Sequence, residues 1–223
     1  MSSYKYLILD MGNVLVGSPT GEWLITPTFL KYVEKDKIDI DKYKDVKKEI
    51  QYIIDRKAET LSEEYDIFME FYTKLISGMG LDINEEQIKD IVDDFVFNKN
   101  DDKYYLFDDV VKELDRLSNK YTLILLSDNW PCAFEYLKEK KLYNYFKKVY
   151  ISSVYGVRKS DVKLFDYPIN DFNIKSGEAI FVDDNSELLE IAEDKNLDVI
   201  LMDRYNEVTD SRFNIIHDLT EIV

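Results

Sequence analysis

Two adjacent carboxylates, Asp183 and Asp184, directly follow an apolar run and form the most unusual polar feature of the sequence. Neighbouring carboxylates repel one another, so their burial costs stability unless a cation or hydrogen bonds compensate. Other apolar runs are followed by polar side chains at Asp10, Ser127 and Lys159. Together these side chains offer a carboxylate nucleophile, a hydroxyl and a cation for phosphate oxygens, and carboxylates for magnesium. Phosphoryl transfer needs these groups.

The positions after the first and second apolar runs also have a purely structural interpretation. Asp10, followed by Gly12 and Asn13, suits an ordinary turn. The stretch 127–131, Ser-Asp-Asn-Trp-Pro, suits a helix N-cap with proline in the first turn. Because backbone N–H groups at such a helix start can hold a phosphate oxygen, the structural and functional interpretations of this stretch are compatible.

Parallel strands are predicted to position these side chains. Five short runs lack polar alternation, which is typical of strands covered on both faces. They are Tyr6 to Leu9, Thr122 to Leu126, Val149 to Ser152, Ala179 to Val182 and Asp198 to Met202. Helical periodicity fills the intervals after the second run. We therefore predict an α/β fold with a doubly wound, Rossmann-like parallel sheet, whose ligands bind beyond the carboxyl ends of the strands.

A long insertion interrupts this alternation, because roughly a hundred residues separate the first two runs and one crossover needs far fewer. Only helical signals occur within it. Two capping boxes begin helices and two glycines end one of them, namely Thr60 with Glu63, Asn84 with Gln87, and Gly78 and Gly80. The sequence thus predicts a core domain of residues 1–17 and 101–223 and an all-helical domain of residues 18–100.

Composition excludes several classes of function. The net charge of −16 and a pI of about 4.5 oppose binding to nucleic acids or to anionic membranes. The chain has one histidine, His217, so Ser-His-Asp and multi-histidine zinc chemistry lack their residues. Neither a dinucleotide-binding nor a P-loop glycine pattern is present.

The cellular compartment is also predicted from the sequence. The single cysteine, Cys132, cannot form an internal disulfide and is expected to be a small helix residue. The N-terminus has no basic region followed by an apolar stretch of signal length, and no later run approaches the length of a membrane span. We therefore expect a cytoplasmic protein without a membrane partner.

Four short motifs resemble, in order, those of the haloacid dehalogenase (HAD) superfamily. Residues 7–16, Leu-Ile-Leu-Asp-Met-Gly-Asn-Val-Leu-Val, are similar to the first motif of the branch with Gly-Asn after the aspartate. Residues 125–129, Leu-Leu-Ser-Asp-Asn, resemble the second motif, and residues 156–159, Gly-Val-Arg-Lys, resemble the third. Residues 180–184, Ile-Phe-Val-Asp-Asp, resemble the fourth. The resemblance implies a HAD core with a helical cap inserted after the first motif.

The same resemblance implies a magnesium-dependent phosphatase that acts on a small phosphorylated metabolite, such as a sugar phosphate. Asp10 would attack phosphorus and form an aspartyl phosphate. The resemblance implies Asp10 and Lys159 as the catalytic residues. It implies that magnesium is bound by Asp10, Gly12, Asp183 and Asp184. It implies that the phosphate is bound by Ser127, Asp128, Lys159 and Asn13.

Three positions depart from the family's pattern. Gly12 stands where phosphatases of the family usually carry an acid/base aspartate, Ser160 stands where proline usually follows the lysine, and Leu188 replaces an asparagine. Without the acid/base aspartate, leaving groups that depart with little protonation are favoured, such as aryl phosphates or sugar 1-phosphates. Asp128 offers a substitute carboxylate.

Two other functions remain open. A haloacid dehalogenase would want a halide-binding arginine in the insert and a tyrosine two residues after the nucleophile, whereas the insert offers Arg56 alone and Gly12 occupies the tyrosine's position. A catalytically impaired HAD-like binding or regulatory protein, with an unidentified protein partner, is the second alternative. Substrate specificity is predicted to lie in the insert, with candidate contacts at Trp23, Thr26, Tyr43, Arg56 and Tyr72.

Overall fold

The computed structural model describes residues 4–223. Its elements, in chain order, are β1 (Tyr6–Leu9), β2 (Val16–Gly17), α1 (Pro27–Leu30), α2 (Ile40–Ile54), α3 (Leu61–Met79), α4 (Glu85–Phe97), β3 (Tyr105–Leu106), α5 (Val110–Ser118), β4 (Thr122–Ser127), α6 (Cys132–Glu139), β5 (Phe146–Ile151), α7 (Ser152–Tyr155), α8 (Lys163–Phe172), β6 (Ala179–Asp183), α9 (Ser186–Asp194), β7 (Asp198–Met202) and β8 (Ile215–Ile216). Short 3₁₀ turns join some of these elements. None of the helices in this described part is long and apolar enough to cross a bilayer.

A parallel sheet forms the centre of the molecule. Within residues 4–223 it has six strands in the order β5-β4-β1-β6-β7-β8, and every neighbouring pair is parallel. In β1, Leu7 and Leu9 pack into the core on one face, whereas Ile8 packs into the core on the other. Burial on both faces explains why the strand sequences lack polar alternation. The predicted doubly wound α/β fold is confirmed.

The predicted strands are present, with changes at their ends. β1 and β7 have the predicted bounds, and β4 and β6 are each one residue longer. β5 begins at Phe146 instead of Val149, and Ser152 begins a helix instead of ending the strand. β8 was not predicted, because two residues carry no periodicity. His217, which follows β8, is exposed, and its Nδ1 lies 2.8 Å from the Asp203 carbonyl oxygen.

The residues between β2 and β3 form helices α1 to α4, with no strand among them. Thr60 and Asn84 make the predicted capping boxes at the starts of α3 and α4. Gly80 ends α3 in the left-handed conformation, with φ of 71°, as predicted. The prediction that Gly78 also ends this helix is wrong. It lies within α3, where an added Cβ would be 2.7 Å from Val46 Cγ1 of α2, so this glycine permits close helix packing.

An unpredicted two-stranded ribbon connects the helical segment to the sheet. The chain leaves the sheet region through β2 and returns through β3, and the two strands pair antiparallel with Gly17 opposite Tyr105. A Cβ on Gly17 would lie 2.2 Å from Tyr105 Cζ, so a larger residue there would displace the exposed Tyr105 ring. The ribbon lies close to the predicted boundaries near residues 17 and 101. The division of the chain into two domains stays a prediction.

A buried polar cluster, which we call the junction cluster, consists of Glu64, Lys103 and Cys132 and joins α3 to α6. Glu64 is fully buried, and its Oε2 accepts a 2.8 Å hydrogen bond from the Cys132 N–H. The Lys103 ammonium donates to the Phe95 carbonyl at 2.9 Å and to Cys132 Sγ at 3.0 Å. It also lies 3.6 Å from the centroid of the Phe95 ring, which adds a cation–π attraction.

The two charged members of the junction cluster respond differently to burial. Burial raises the pKa of Glu64, and attraction by Lys103 offsets only part of this effect. Burial by itself lowers the pKa of Lys103, but its interactions with Cys132, Tyr104 and Glu64 outweigh burial and raise that pKa. The lysine therefore remains a cation inside the protein.

Candidate active site

The central strands bring the predicted site residues to one edge of the sheet. Asp10 follows β1, Ser127 ends β4 and Asp183 ends β6, and these three strands are neighbours. Lys159 lies in the 3₁₀ turn that follows α7. Strand β1 lies between β4 and β6. The strands that follow β4 and β6 extend away from β1 in opposite directions, so the strand order reverses at β1. Ligands of doubly wound folds bind at such a reversal of strand order.

Lys159 lies between two buried carboxylates. Its Nζ donates a 2.6 Å hydrogen bond to Asp183 Oδ2 and lies 3.0 Å from Asp10 Oδ1. The exposed fractions are 6% for Asp10, 3% for Lys159 and 1% for Asp183. The Asp10 N–H donates to the Val182 carbonyl at 3.0 Å, which fixes the backbone of Asp10 against β6. The sheet thus holds these charged groups in contact.

Asp184 completes what we call the active-site cluster, which consists of Asp10, Lys159, Asp183 and Asp184. Asp10, Asp183 and Asp184 each offer one oxygen within 4.8 Å of the others. Asp184 is exposed, and its Oδ2 accepts a 2.8 Å hydrogen bond from Asn13 Nδ2. Asn13 has φ of 50°, a left-handed conformation that asparagine tolerates well. The turn after β1 therefore directs the Asn13 amide to Asp184.

Negative charge is in excess in the active-site cluster, because three carboxylates surround one lysine. Burial lowers the pKa of Lys159, but attraction by Asp10, Asp183 and Asp128 outweighs burial and raises it. Burial raises the pKa of Asp183, and Lys159 offsets only part of that effect. Asp10 Oδ1 is buried and accepts no hydrogen bond from residues 4–223 with good geometry, despite its closeness to the lysine. The cluster has the charge and the oxygen donors that a divalent cation requires.

The segment after β4 differs from its predicted local structure. Pro131 occupies the N-cap of α6, so Ser127 and Asp128 do not cap this helix. Ser127 is buried and lines the same cavity as Asp10. Asp128 also lines it, and its Oδ1 accepts a 3.0 Å hydrogen bond from the Lys159 N–H. The burial of Asp128 raises the pKa of its carboxyl group.

A cavity of about 340 Å³ opens over the active-site cluster. Every predicted site residue lines it, including Gly12 and Asn13. The insert contributes a partly apolar wall, made by Trp23, Leu24, Lys47, Gln51, Ile54 and Phe95. The cavity lies between the sheet edge and the helical segment, so both parts of the chain contact whatever enters it.

Most predicted specificity contacts lie elsewhere. Trp23 lines the cavity as predicted. Thr26 instead caps α1, Tyr43 and Tyr72 are buried in the core of the insert, and Arg56 pairs with Glu70 at 2.8 Å.

Sequence reasoning missed Lys47 and Gln51, which line the cavity. These two residues and Ile54 have the spacing of one helix face. That spacing was the signal in the sequence from which they could have been grouped. That spacing does not by itself indicate which face of α2 meets the cavity.

The side chain of Trp23 covers Gly12. A Cβ on Gly12 would lie 3.2 Å from Trp23 Cζ2 and 3.8 Å from Asp10 Oδ2. The first distance is shorter than an ordinary van der Waals contact, so a larger residue at position 12 requires movement of the indole. Gly12 and Trp23 are therefore matched to each other.

Comparison with known proteins identifies the family of this chain. The chain matches the haloacid dehalogenase-like hydrolase family over residues 36–202. It is also similar to the D-ribitol-5-phosphate phosphatase of Bacteroides thetaiotaomicron, with 33% identity over 85 residues. That alignment covers 35% of this chain and 41% of the relative, so it spans less than half of the relative's length.

Several solved structures share the fold. A HAD family enzyme of Bacteroides thetaiotaomicron, in complex with magnesium and inorganic phosphate, has a TM-score of 0.65 and 19% identity, covering 92% of this chain and 98% of that one. The magnesium-bound HAD-hydrolase YfnB of Bacillus subtilis has a TM-score of 0.68 and 14% identity, covering 98% and 96%. The L-2-haloacid dehalogenase of Xanthobacter autotrophicus has a TM-score of 0.69 and 13% identity, covering 97% and 95%.

These structural similarities, at low identity, concern the fold. The family match covers most of the chain, including the segment from α2 to β7. The chain belongs to the haloacid dehalogenase-like hydrolase family.

Proposed function

We propose that this protein is a magnesium-dependent phosphatase that hydrolyses small phosphate monoesters through an aspartyl phosphate on Asp10. The observation that carries this proposal is the active-site cluster, in which three carboxylates lie within 4.8 Å of one another beside a buried lysine. The similarity to a sugar-alcohol phosphate phosphatase and to an enzyme with bound magnesium and phosphate supports it.

The donor set fits magnesium. This ion takes oxygen ligands and usually keeps several waters, so a few carboxylates are sufficient. We assign Asp10, Asp183 and Asp184 as ligands, together with the backbone carbonyl of Gly12, because the three carboxylates each offer an oxygen within 4.8 Å of the others. When bound, the ion would offset repulsion between the anionic nucleophile and the phosphate.

In the first step, a carboxylate oxygen of Asp10 attacks phosphorus, and the bond from phosphorus to the leaving oxygen breaks. The Lys159 ammonium and the Ser127 hydroxyl bind phosphoryl oxygens and stabilise the charge that develops on them. Asn13 was predicted to bind phosphate. Because its side-chain amide donates a hydrogen bond to Asp184, we instead assign it the role of positioning Asp184.

In the second step, water attacks the phosphorus of the aspartyl phosphate, which releases inorganic phosphate and restores the Asp10 carboxylate. Within the described residues, Asp128 lines the cavity and is the one carboxylate there that does not belong to the active-site cluster. We assign it as the general base for this water. Residue 12 is glycine, so no acid stands at the usual position, and Trp23 occupies the space beside it. Esters with acidic leaving groups are the expected substrates.

Phosphate release from 4-nitrophenyl phosphate tests the proposal. We expect release that requires magnesium and is stopped by EDTA. Asp10→Asn should reduce the rate by about 10³-fold or more, since it removes the nucleophile. Asp82→Asn, an exposed site in the insert, is the matched control and should keep the wild-type rate. Equal release without magnesium, or from the Asp10 variant, would contradict the proposal.

The same experiment separates the alternative functions. A folded protein that binds magnesium in calorimetry but releases no phosphate would be a binding or regulatory protein that lacks turnover because residue 12 is not an acid. A dehalogenase receives no support from the insert, because Arg56 pairs with Glu70 and does not line the cavity.

A further inference from the structure

Helix α2 presents one row of side chains to the cavity, made by Lys47, Gln51 and Ile54. Steps of four and three residues place them on the same helix face. The row belongs to the insert, whereas Asp10 and Lys159 belong to the sheet edge. A molecule bound through its phosphate at the active-site cluster would therefore meet Lys47 and Gln51 with another part of its structure.

Lys47 is the cationic group of the cavity wall that has no carboxylate partner within residues 4–223. Lys159 is paired within the active-site cluster, and Arg158 is paired with Asp55 at 2.5 Å. Lys47 is half-buried, and its Nζ lies 5.8 Å from the centroid of the Tyr43 ring. A partly desolvated ammonium without a partner is stabilised by an anion that enters the cavity.

Gln51 adds an acceptor beside this cation. Its Nε2 donates a 3.0 Å hydrogen bond to Asp55 Oδ1. Since a carboxylate only accepts hydrogen bonds, this contact fixes the amide orientation. Gln51 Oε1 then receives no hydrogen bond from the described part of the chain and can accept one from a hydroxyl. A ligand that carries both an anionic group and a hydroxyl would match Lys47 and Gln51.

We propose that the substrate is a small phosphate ester that is also a carboxylic acid, with Lys47 binding the carboxylate and Gln51 Oε1 accepting a hydrogen bond from a nearby hydroxyl. This assignment rests on the proposed phosphatase function. One ammonium balances the single charge of a carboxylate, whereas a second phosphate would add uncompensated charge to a protein of net charge −16. The cavity volume of about 340 Å³ suits a ligand of monosaccharide size.

Matched ester pairs test this assignment. Glucose 1-phosphate and glucuronate 1-phosphate differ by a carboxylate at the far end. In the second pair, 4-carbamoylphenyl phosphate carries a neutral amide in place of the carboxylate of 4-carboxyphenyl phosphate. We expect kcat/KM to be about tenfold higher for the carboxylated member of at least one pair, as for one charge-assisted contact. In Lys47→Met the ratio within that pair should fall to about one. Lys48→Met, an exposed neighbour on α2, should keep the wild-type ratio.

Binding to the Asp10→Asn protein, measured by calorimetry with the same esters, separates this assignment from the proposed function. Tighter binding of a carboxylated ester that depends on Lys47, without release of phosphate by the wild-type protein, would support the contact between Lys47 and the carboxylate but contradict the phosphatase. Release from both members of each pair at equal kcat/KM would support the phosphatase and overturn the assignment. A carboxylate preference that survives in Lys47→Met would also overturn it.

Discussion

The active-site cluster and the junction cluster both bury carboxylate and lysine side chains, but they differ in charge balance and in access. The junction cluster has one acid and one lysine, and the Lys103 ammonium is satisfied by Cys132 and Phe95. None of its three members lines the active-site cavity. The active-site cluster has three acids for one lysine and opens into that cavity. Buried charge alone is therefore a weak sign of function, whereas unbalanced charge beside a cavity is a strong one.

Among the variants that keep the nucleophile, the largest effect should come from Lys159→Met, which removes the only cation of the active-site cluster. We expect the rate of phosphate release to fall by about 10² to 10³-fold, because charge on the phosphoryl oxygens loses its partner. Steady-state kinetics at saturating magnesium measures this loss. Lys159→Arg, which keeps the charge, should recover part of the rate. A Lys159→Met protein within tenfold of wild type would remove Lys159 from the chemistry.

Lys103→Met should break the junction cluster without affecting chemistry directly. It removes the hydrogen bonds of Lys103 to Phe95 and Cys132 and its attraction for Glu64, and we expect a loss of about 2 kcal/mol in the free energy of unfolding. Urea denaturation measures this loss, with Lys112→Met as the exposed control. If the Lys103 variant were as stable as wild type, the junction cluster would have no structural role and the contrast between the clusters would fail.

Asn13→Gly should weaken magnesium binding, because the Asn13 amide no longer orients Asp184. Loss of a hydrogen bond to a metal ligand commonly reduces affinity by about tenfold, and calorimetry can measure that change. Glycine tolerates the left-handed backbone at this position, so strain is avoided. Unchanged magnesium affinity would mean that Asn13 has another role, such as phosphate binding.

Glu64→Gln should give the smallest effect, visible as a pH dependence. The folded-state pKa of Glu64 is raised by burial, so the folded protein holds this proton more tightly than the unfolded chain. The stability contributed by Glu64 is therefore greatest at acid pH and decreases as pH rises above its ordinary pKa of 4.5. Urea titrations at several pH values measure the free energy of unfolding of wild type and of Glu64→Gln. The difference between them, wild type minus variant, should decrease as the pH rises. The opposite slope would mean that Lys103 dominates burial.

Much of the sheet and the core side of the site could be predicted from the sequence. Buried parallel strands give uninterrupted apolar runs, and their carboxyl ends meet at one edge. Asp10, Ser127 and Asp183 could therefore be placed together before their contacts were known. The capping boxes at Thr60 and Asn84 were equally clear, because both partners lie within four residues.

Features that depend on distant pairs were not predictable. The strands of the ribbon and β8 are two residues long, too short to show a period. Glutamate and lysine are usually exposed at the surface, and only tertiary packing brings Glu64 and Lys103 together. Lys47 was not singled out, since the sequence does not show which part of α2 faces the sheet. Gly78 was misinterpreted because its packing partner, Val46, lies on another helix.

The paired strands β2 and β3 place the exit and the return of the chain side by side. A segment attached at two adjacent points can be exchanged for another without changing the connectivity of the sheet, in the way that a hairpin tolerates loops of different length. Evolution can then vary the helices that carry Lys47 and Gln51 while Asp10 and Lys159 stay in place. On the proposed assignment, selectivity can change while the chemistry stays, except where Trp23 of the insert packs against Gly12.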